Sequence, residues 1–150
     1  MLISTRSRYG LRALAELGRS DPEEPLSLAS IAESELIPVR YLEQIFGKLR
    51  AVGIICGRRG PGGGYMLCRP PEEIRLYDVI NVLETDFLPI SCLTDSSDCG
   101  ESDDGCRCKL EDNCVTKALW EKMRDIYLTI MRENTLADLM AGDLHKVDLR

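Results

Sequence analysis

Across residues 6–19 the apolar positions Tyr9, Ala13, Leu14 and Leu17 recur at helical spacing while Arg8, Arg12 and Arg19 fall elsewhere, which predicts an amphipathic helix. The run Asp21-Pro22-Glu23-Glu24-Pro25 ends it. Ser27 offers a hydroxyl N-cap to a short second helix through Ile31, Ala32 and Ser34. A tight turn at Glu35-Leu36-Ile37 follows. Pro38, which has no N–H to leave unpaired, suits the first turn of a third helix reaching about Val52. Leu42, Ile45, Phe46 and Leu49 share one side of that helix, and Arg40, Glu43, Gln44, Gly47 and Lys48 share the other.

Gly53 stops the third helix as a C-cap would. Ile54-Ile55-Cys56-Gly57-Arg58 and Tyr65-Met66-Leu67-Cys68 predict two short strands joined by a glycine-rich turn. Pro70-Pro71 breaks the chain before a helix over 76–84, which turns Val79, Ile80 and Leu83 inward. Residues 85–113 then show neither helical nor strand periodicity, a length of loop that usually serves a function or is disordered. From Cys114 to about Asn134 the pattern is helical again. Leu119, Met123, Ile126 and Ile130 form a heptad-like seam on it. A core helix could carry the same stripe, but packing between two subunits is the expectation, because DNA readers commonly work as two-fold dimers. Leu136, Leu139 and Met140 suit a last short turn.

The expected architecture is therefore mainly α: a winged helix-turn-helix with a small β-hairpin wing over 1–70, a connecting helix over 71–91, a cysteine-rich loop over 92–114, and a long dimerisation helix with its tail over 115–150. A chain of 150 residues accommodates that arrangement. Its 29% charged and 44% hydrophobic residues are those of a soluble globular protein, and no apolar run approaches the ~18 residues of a membrane span. The first residues lack an apolar signal core, so the expected compartment is the cytoplasm.

A formal net charge of −6 argues against DNA until its distribution is considered. Residues 1–70 hold ten Lys/Arg against seven Asp/Glu, a net +3, whereas residues 71–150 hold nine against eighteen, a net −9. The first part can face phosphate. On the third helix Arg40 suits guanine, Gln44 adenine and Glu43 the cytosine amino group, with Lys48 placed for phosphate. Arg58 and Arg59 bring charge to the wing, while Gly60, Gly62, Gly63 and Gly64 let its backbone turn and approach a phosphate closely. Arg8 and Arg50 are further phosphate candidates. Charged helix faces are often merely solvated, and glycine turns often only turn. The order helix, turn, helix, strand, glycine turn, strand is what points to double-stranded DNA.

Seven cysteines in a reducing compartment are unsuited to a disulfide framework. Cys56 and Cys68 are expected to be small apolar residues of the two strands. The other five crowd together as Cys92-x6-Cys99-x6-Cys106-x1-Cys108-x5-Cys114 among Asp, Ser and Gly. None of these gaps is the short pairing typical of zinc ribbons. The open spacing favours a solvent-near iron–sulfur cluster, with zinc and a dithiol switch as alternatives. No CxxC, nucleotide loop or acid–base pair indicates an enzyme.

Three strings carry a resemblance: Arg8-Tyr9-Gly10-Leu11-Arg12-Ala13-Leu14, Tyr41-Leu42-Glu43-Gln44-Ile45-Phe46 and Arg59-Gly60-Pro61-Gly62-Gly63-Gly64-Tyr65. Ser4-Thr5 and Cys114-Val115-Thr116-Lys117-Ala118-Leu119-Trp120 extend it over nearly the whole chain. The sequence resembles the winged-helix iron–sulfur regulators typified by IscR, with NsrR and CymR as relatives. The resemblance implies a homodimer that sets Glu43 and Gln44 at base edges and Arg59 in the minor groove. It also implies cluster ligation by Cys92, Cys108 and Cys114, with 2Fe–2S ahead of 4Fe–4S. Two positions depart from the pattern. IscR has a histidine ligand where this chain has Lys117, and NsrR has an aspartate ligand where it has Arg8. Cys99 or Cys106 is then the economical fourth ligand, ahead of His145, the one histidine. An all-thiolate site favours a lower potential. The expected role is a repressor of iron–sulfur biogenesis or related iron and sulfur genes. The alternative is a regulator with a structural zinc or a thiol switch that responds to nitric oxide, cysteine or redox state.

Overall fold

The computed structural model describes residues 3–84 and 114–145. Its elements run α1 (Thr5–Arg19), α2 (Leu28–Glu35), α3 (Val39–Ala51), β1 (Ile55–Arg58), β2 (Gly64–Leu67), a 3-10 turn (Pro71–Glu73), α4 (Leu76–Leu83), α5 (Lys117–Glu133) and α6 (Leu136–Ala141). The fold is mainly helical with one antiparallel hairpin and a long C-terminal helix, as the periodicity predicts. No helix among the described residues is long and apolar enough to cross a membrane.

Local chemistry sets the boundaries. The Ser4 hydroxyl accepts from the Ser7 N–H at the start of α1, and the Ser27 hydroxyl accepts from the Ser30 N–H at the start of α2. Each satisfies an N–H that has no partner within its helix. Pro38 stands one step outside the predicted position, at the N-cap of α3 rather than in its first turn. The hairpin pairs Ile55 with Leu67, Cys56 with Met66, Gly57 with Tyr65 and Arg58 with Gly64. Leu26 adds a bridge on the other side of Tyr65, exchanging N–H to carbonyl bonds of 2.9 and 2.7 Å with it.

One buried cluster unites the N-terminal helices with the hairpin and α4. Leu14, Ile31, Leu42, Ile45, Phe46, Leu49, Ile54 and Leu83 all lie in it, 0–1% exposed. The tail returns to this core: Leu136 of α6 is fully buried, and α6 packs against α1. A capping box holds α6, in which the Thr135 hydroxyl accepts from the Asp138 N–H while the Asp138 carboxylate accepts from the Thr135 N–H. A second bridge pairs Arg75 with Thr135, and the Leu136 N–H donates to the Ile74 carbonyl at 2.8 Å. In contrast, α5 has no buried residue along its 17 positions. Leu119 and Met123 of its predicted seam stand 55% and 43% exposed.

One cysteine expectation requires correction. Cys56 and Cys68 are not independent apolar strand residues but a disulfide pair. The register explains this, because Cys56 opposes Met66 and lies diagonal to Cys68, with Cα atoms 5.3 Å apart and within bridging range.

At the end of α4, Glu84 ties the two ends of the described N-terminal body together by accepting from the Ser4 N–H at 2.9 Å. Burial alone would push this carboxyl up, but the Ser7 and Ser4 hydroxyls, that N–H and the Arg6 charge outweigh it and hold the pKa below the ordinary value. A depressed folded pKa stabilises the protein above the unfolded value and ceases to do so as pH falls through the folded one. Thermal unfolding of the wild type should therefore lose stability on acidification through the carboxylate range. Glu84→Gln should start lower and lose less over the same interval; parallel curves would show that Glu84 contributes nothing.

Candidate nucleic-acid interface

The turn between α2 and α3 fixes how α3 stands on the body. Leu36 adopts the left-handed conformation at φ 53°, and its N–H bonds back to the carbonyls of Ala32 and Glu33. Arg12 of α1 braces the same turn. Its Nε lies 2.8 Å from a Glu35 carboxylate oxygen, and its Nη2 also donates to the Glu35 carbonyl. With Leu42, Ile45, Phe46 and Leu49 buried, α3 leaves Arg40, Glu43, Gln44, Gly47 and Lys48 exposed. These positions recur at helical i, i+3, i+4, i+7 and i+8 spacing, so they form one continuous face. Among the described residues neither Arg40 nor Lys48 has an ion-pair partner, which leaves both charges available to an anion.

The wing stands beside that face through a ring contact. Phe46 of α3 meets Tyr65 of β2 edge to face at 4.9 Å between ring centroids. At the tip Gly60 and Gly62 take φ +100° and +72°, conformations that disfavour any residue with a Cβ, and the Gly63 N–H closes the turn onto the Gly60 carbonyl at 2.8 Å. Gly64 is needed for a different reason, since a Cβ there would run into the Leu26 carbonyl. Arg58 and Arg59 part company. Arg58 donates to the Glu23 and Gly62 carbonyls, both at 3.3 Å, and thus holds the wing tip to the segment before α2. Arg59 is exposed, and among the described residues it has no ion-pair partner. Sequence reasoning missed the bracing roles of Tyr65, Leu26 and Arg12. The aromatic directly after the glycine run was the one local signal for any of them.

Of the predicted metal ligands, Cys114 is described, whereas Cys92, Cys99, Cys106 and Cys108 lie outside the described residues. Cys114 is a free, half-exposed thiol three residues before α5. The Thr116 hydroxyl, 3.3 Å from its Sγ, leads the effects that hold this thiol below the ordinary cysteine range; backbone N–H groups and the Lys117 charge assist. A thiol that ionises readily fits a metal–thiolate bond. His145 is engaged elsewhere, its N–H donating to the Asn134 side chain at 2.6 Å and its ring 3.9 Å from the Asp138 carboxylate. Among the described residues no three His, Cys, Asp or Glu side chains gather as a metal site.

A helix-turn-helix with an exposed polar second helix, braced against a glycine-tipped hairpin, defines a winged-helix DNA-binding protein. Residues 3–142 match the family model Rrf2, "Iron-dependent Transcriptional regulator". The chain belongs to the Rrf2 family, and it is a DNA-binding transcriptional regulator, not an enzyme. It is 34% identical over 139 residues to the HTH-type transcriptional regulator CymR of Bacillus subtilis, covering 93% of this chain and 89% of that one. To IscR of Cronobacter sakazakii it is 31% identical over 140 residues, covering 93% and 80%. Among solved structures, T. potens IscR superposes with a TM-score of 0.72 at 33% identity, over 95% of this chain and 88% of that one.

Proposed function

We propose that the chain is a cytoplasmic homodimer that represses iron–sulfur biogenesis or related iron and sulfur genes and senses through a cluster held by its own cysteines. The observation that carries this reading is Cys114, a free thiol of lowered pKa at the head of a helix whose stripe leaves Leu119 and Met123 exposed. The family's iron dependence and the resemblance to IscR support it. Cys92, Cys108 and Cys114 would hold the group, with Cys99 or Cys106 as the fourth ligand and 2Fe–2S preferred over 4Fe–4S. When bound, such a cluster supplies a centre sensitive to oxidants and to electron supply. The chain's own part is to tie residues 92–114 to the head of α5, whose Leu119, Met123, Ile126 and Ile130 would pack against a second copy. Arg40, Glu43, Gln44 and Lys48, with Arg58, Arg59, Gly60, Gly62 and Gly63 of the wing, would meet the operator. Within that set we assign Arg59 to the DNA and Arg58 chiefly to holding the wing.

Anaerobic purification should yield a coloured protein containing iron and sulfide, and Cys114→Ala should lose nearly all of both while remaining folded. Reconstituted and cluster-free protein should differ in affinity or in preference among operator duplexes. Equal binding by the two forms would sink the sensing role. The similarity to CymR favours a second reading, a thiol-based regulator without iron, because CymR, solved from B. subtilis, is that organism's global cysteine regulator. Iron-free preparations, with or without stoichiometric zinc, would support it.

A further inference from the structure

The wing contains a pair of cysteines that the functions above do not use. Cys56 lies in β1 and Cys68 directly follows β2, and the disulfide between them closes the hairpin at its base. The Cys68 N–H also donates to the Ile54 carbonyl at 3.0 Å, one step below the bond. Everything beyond the bridge is wing, including Arg58, Arg59 and the glycine tip. Cys68 is exposed and Cys56 partly so, which leaves the bond open to small reagents and to a reducing protein. Two four-residue strands are marginal by themselves. Apart from the bridge, the base of this hairpin is held by its own backbone pairing and by Ile55 and Leu67, which pack into the core, and its outer part by the Leu26–Tyr65 pairing, the Phe46–Tyr65 contact and the two Arg58 bonds.

We propose that Cys56 and Cys68 form a reversible thiol–disulfide switch that sets the order of the wing and through it the affinity for DNA. The inference rests on the wing contacting DNA. Cross-linked, the wing is already ordered when it meets the backbone; with the bond reduced, that ordering must be met at binding, so the oxidised form binds more tightly. A peroxide is the oxidant. The thiolate of Cys68, the more exposed of the two, attacks the O–O bond and becomes a sulfenic acid, while the departing oxygen leaves as water after protonation. The Cys56 thiolate then attacks the sulfenic sulfur and expels the second oxygen as water. Two thiols thus lose two electrons and two protons as the peroxide becomes two waters. Return requires a dithiol, one of whose thiolates opens the bridge to a mixed disulfide that its second thiol resolves, leaving the donor oxidised. Where thiols are kept reduced, a disulfide is usually transient and redox-sensing, which suits this use better than a permanent staple.

The test uses the full chain and a duplex selected by it from a random-sequence library. Binding is followed by fluorescence anisotropy after equilibration with dithiothreitol or after hydrogen peroxide, and peptide mass spectrometry reports the Cys56–Cys68 bond. Oxidised wild type should bind about three- to tenfold more tightly than reduced, the size of effect expected from ordering a few interface groups. C56S/C68S should show the reduced affinity under both conditions. Circular dichroism checks that the variant is folded, and the wild-type comparison needs no substitution at all. Three results would overturn the switch: no bond after peroxide, equal affinity with the bond formed and broken, or the full redox response retained in C56S/C68S. Each leaves DNA binding intact. Failure to select any duplex in either state would instead overturn the DNA reading of the wing, and this inference with it.

Discussion

Phe46→Ala is expected to destabilise the protein by about 3–5 kcal/mol, the range for removing a fully buried aromatic ring. Phe46 is 1% exposed and, among the described residues, is the largest of the fully buried side chains. It also touches Tyr65 edge to face, so one substitution opens a cavity under α3 and removes the ring contact that seats the wing beside it. Urea unfolding should show the lower midpoint with little change in slope. Phe46→Leu, which keeps most of the volume, should lose distinctly less. A loss below about 1 kcal/mol for the alanine variant would mean that the site collapses without penalty and that the ring contact does not brace the wing.

Gln44→Ala should lower affinity for the selected operator by roughly 10- to 100-fold while leaving binding to random duplex nearly unchanged, because a bidentate side chain reads a base edge. Lys48→Ala lies on the same face, one turn further along. It should weaken both duplexes alike and reduce the salt dependence by about one ion, the signature of a phosphate contact. Both residues are exposed, so neither change should disturb folding. Equal losses by Gln44→Ala on operator and random DNA would remove it from base reading.

The helices and the wing were legible because their signals are local. Apolar residues three and four apart mark α1 and α3, a serine cap marks the start of α2, and the run Gly60-Pro61-Gly62-Gly63-Gly64 marks the wing tip. The exposed face of α3 followed from the same periodicity, since burying Leu42, Ile45, Phe46 and Leu49 determines what is left outside. What escaped depends on partners far away along the chain. The disulfide required the strand register, since Cys56 faces Met66 and meets Cys68 only on the diagonal. Arg58 looked equivalent to Arg59 until the Glu23 carbonyl, 35 positions away, claimed it. The return of α6 to the core depends on the Arg75–Thr135 bridge, which no periodicity within either segment announces.

That return gives α5 the mechanics of a cantilever. Its root is clamped where Leu136 enters the core, where the Arg75 guanidinium donates to the Glu133 carbonyl and where Arg132 stacks on Tyr77. Its tip is at Cys114, and no residue of the 17-residue beam between them is fully buried, although Ile126 and Ile130 toward the root are half-buried and the helix packs against α4 there. At a rise of ~1.5 Å per residue the beam is about 25 Å long, so a tilt of about 10° at the root sweeps the tip through roughly 4 Å. Leverage runs the other way with equal force: a modest pull at the cysteine end exerts its greatest torque on the Asn134–Leu136 joint, directly against the body that carries α1 and α3.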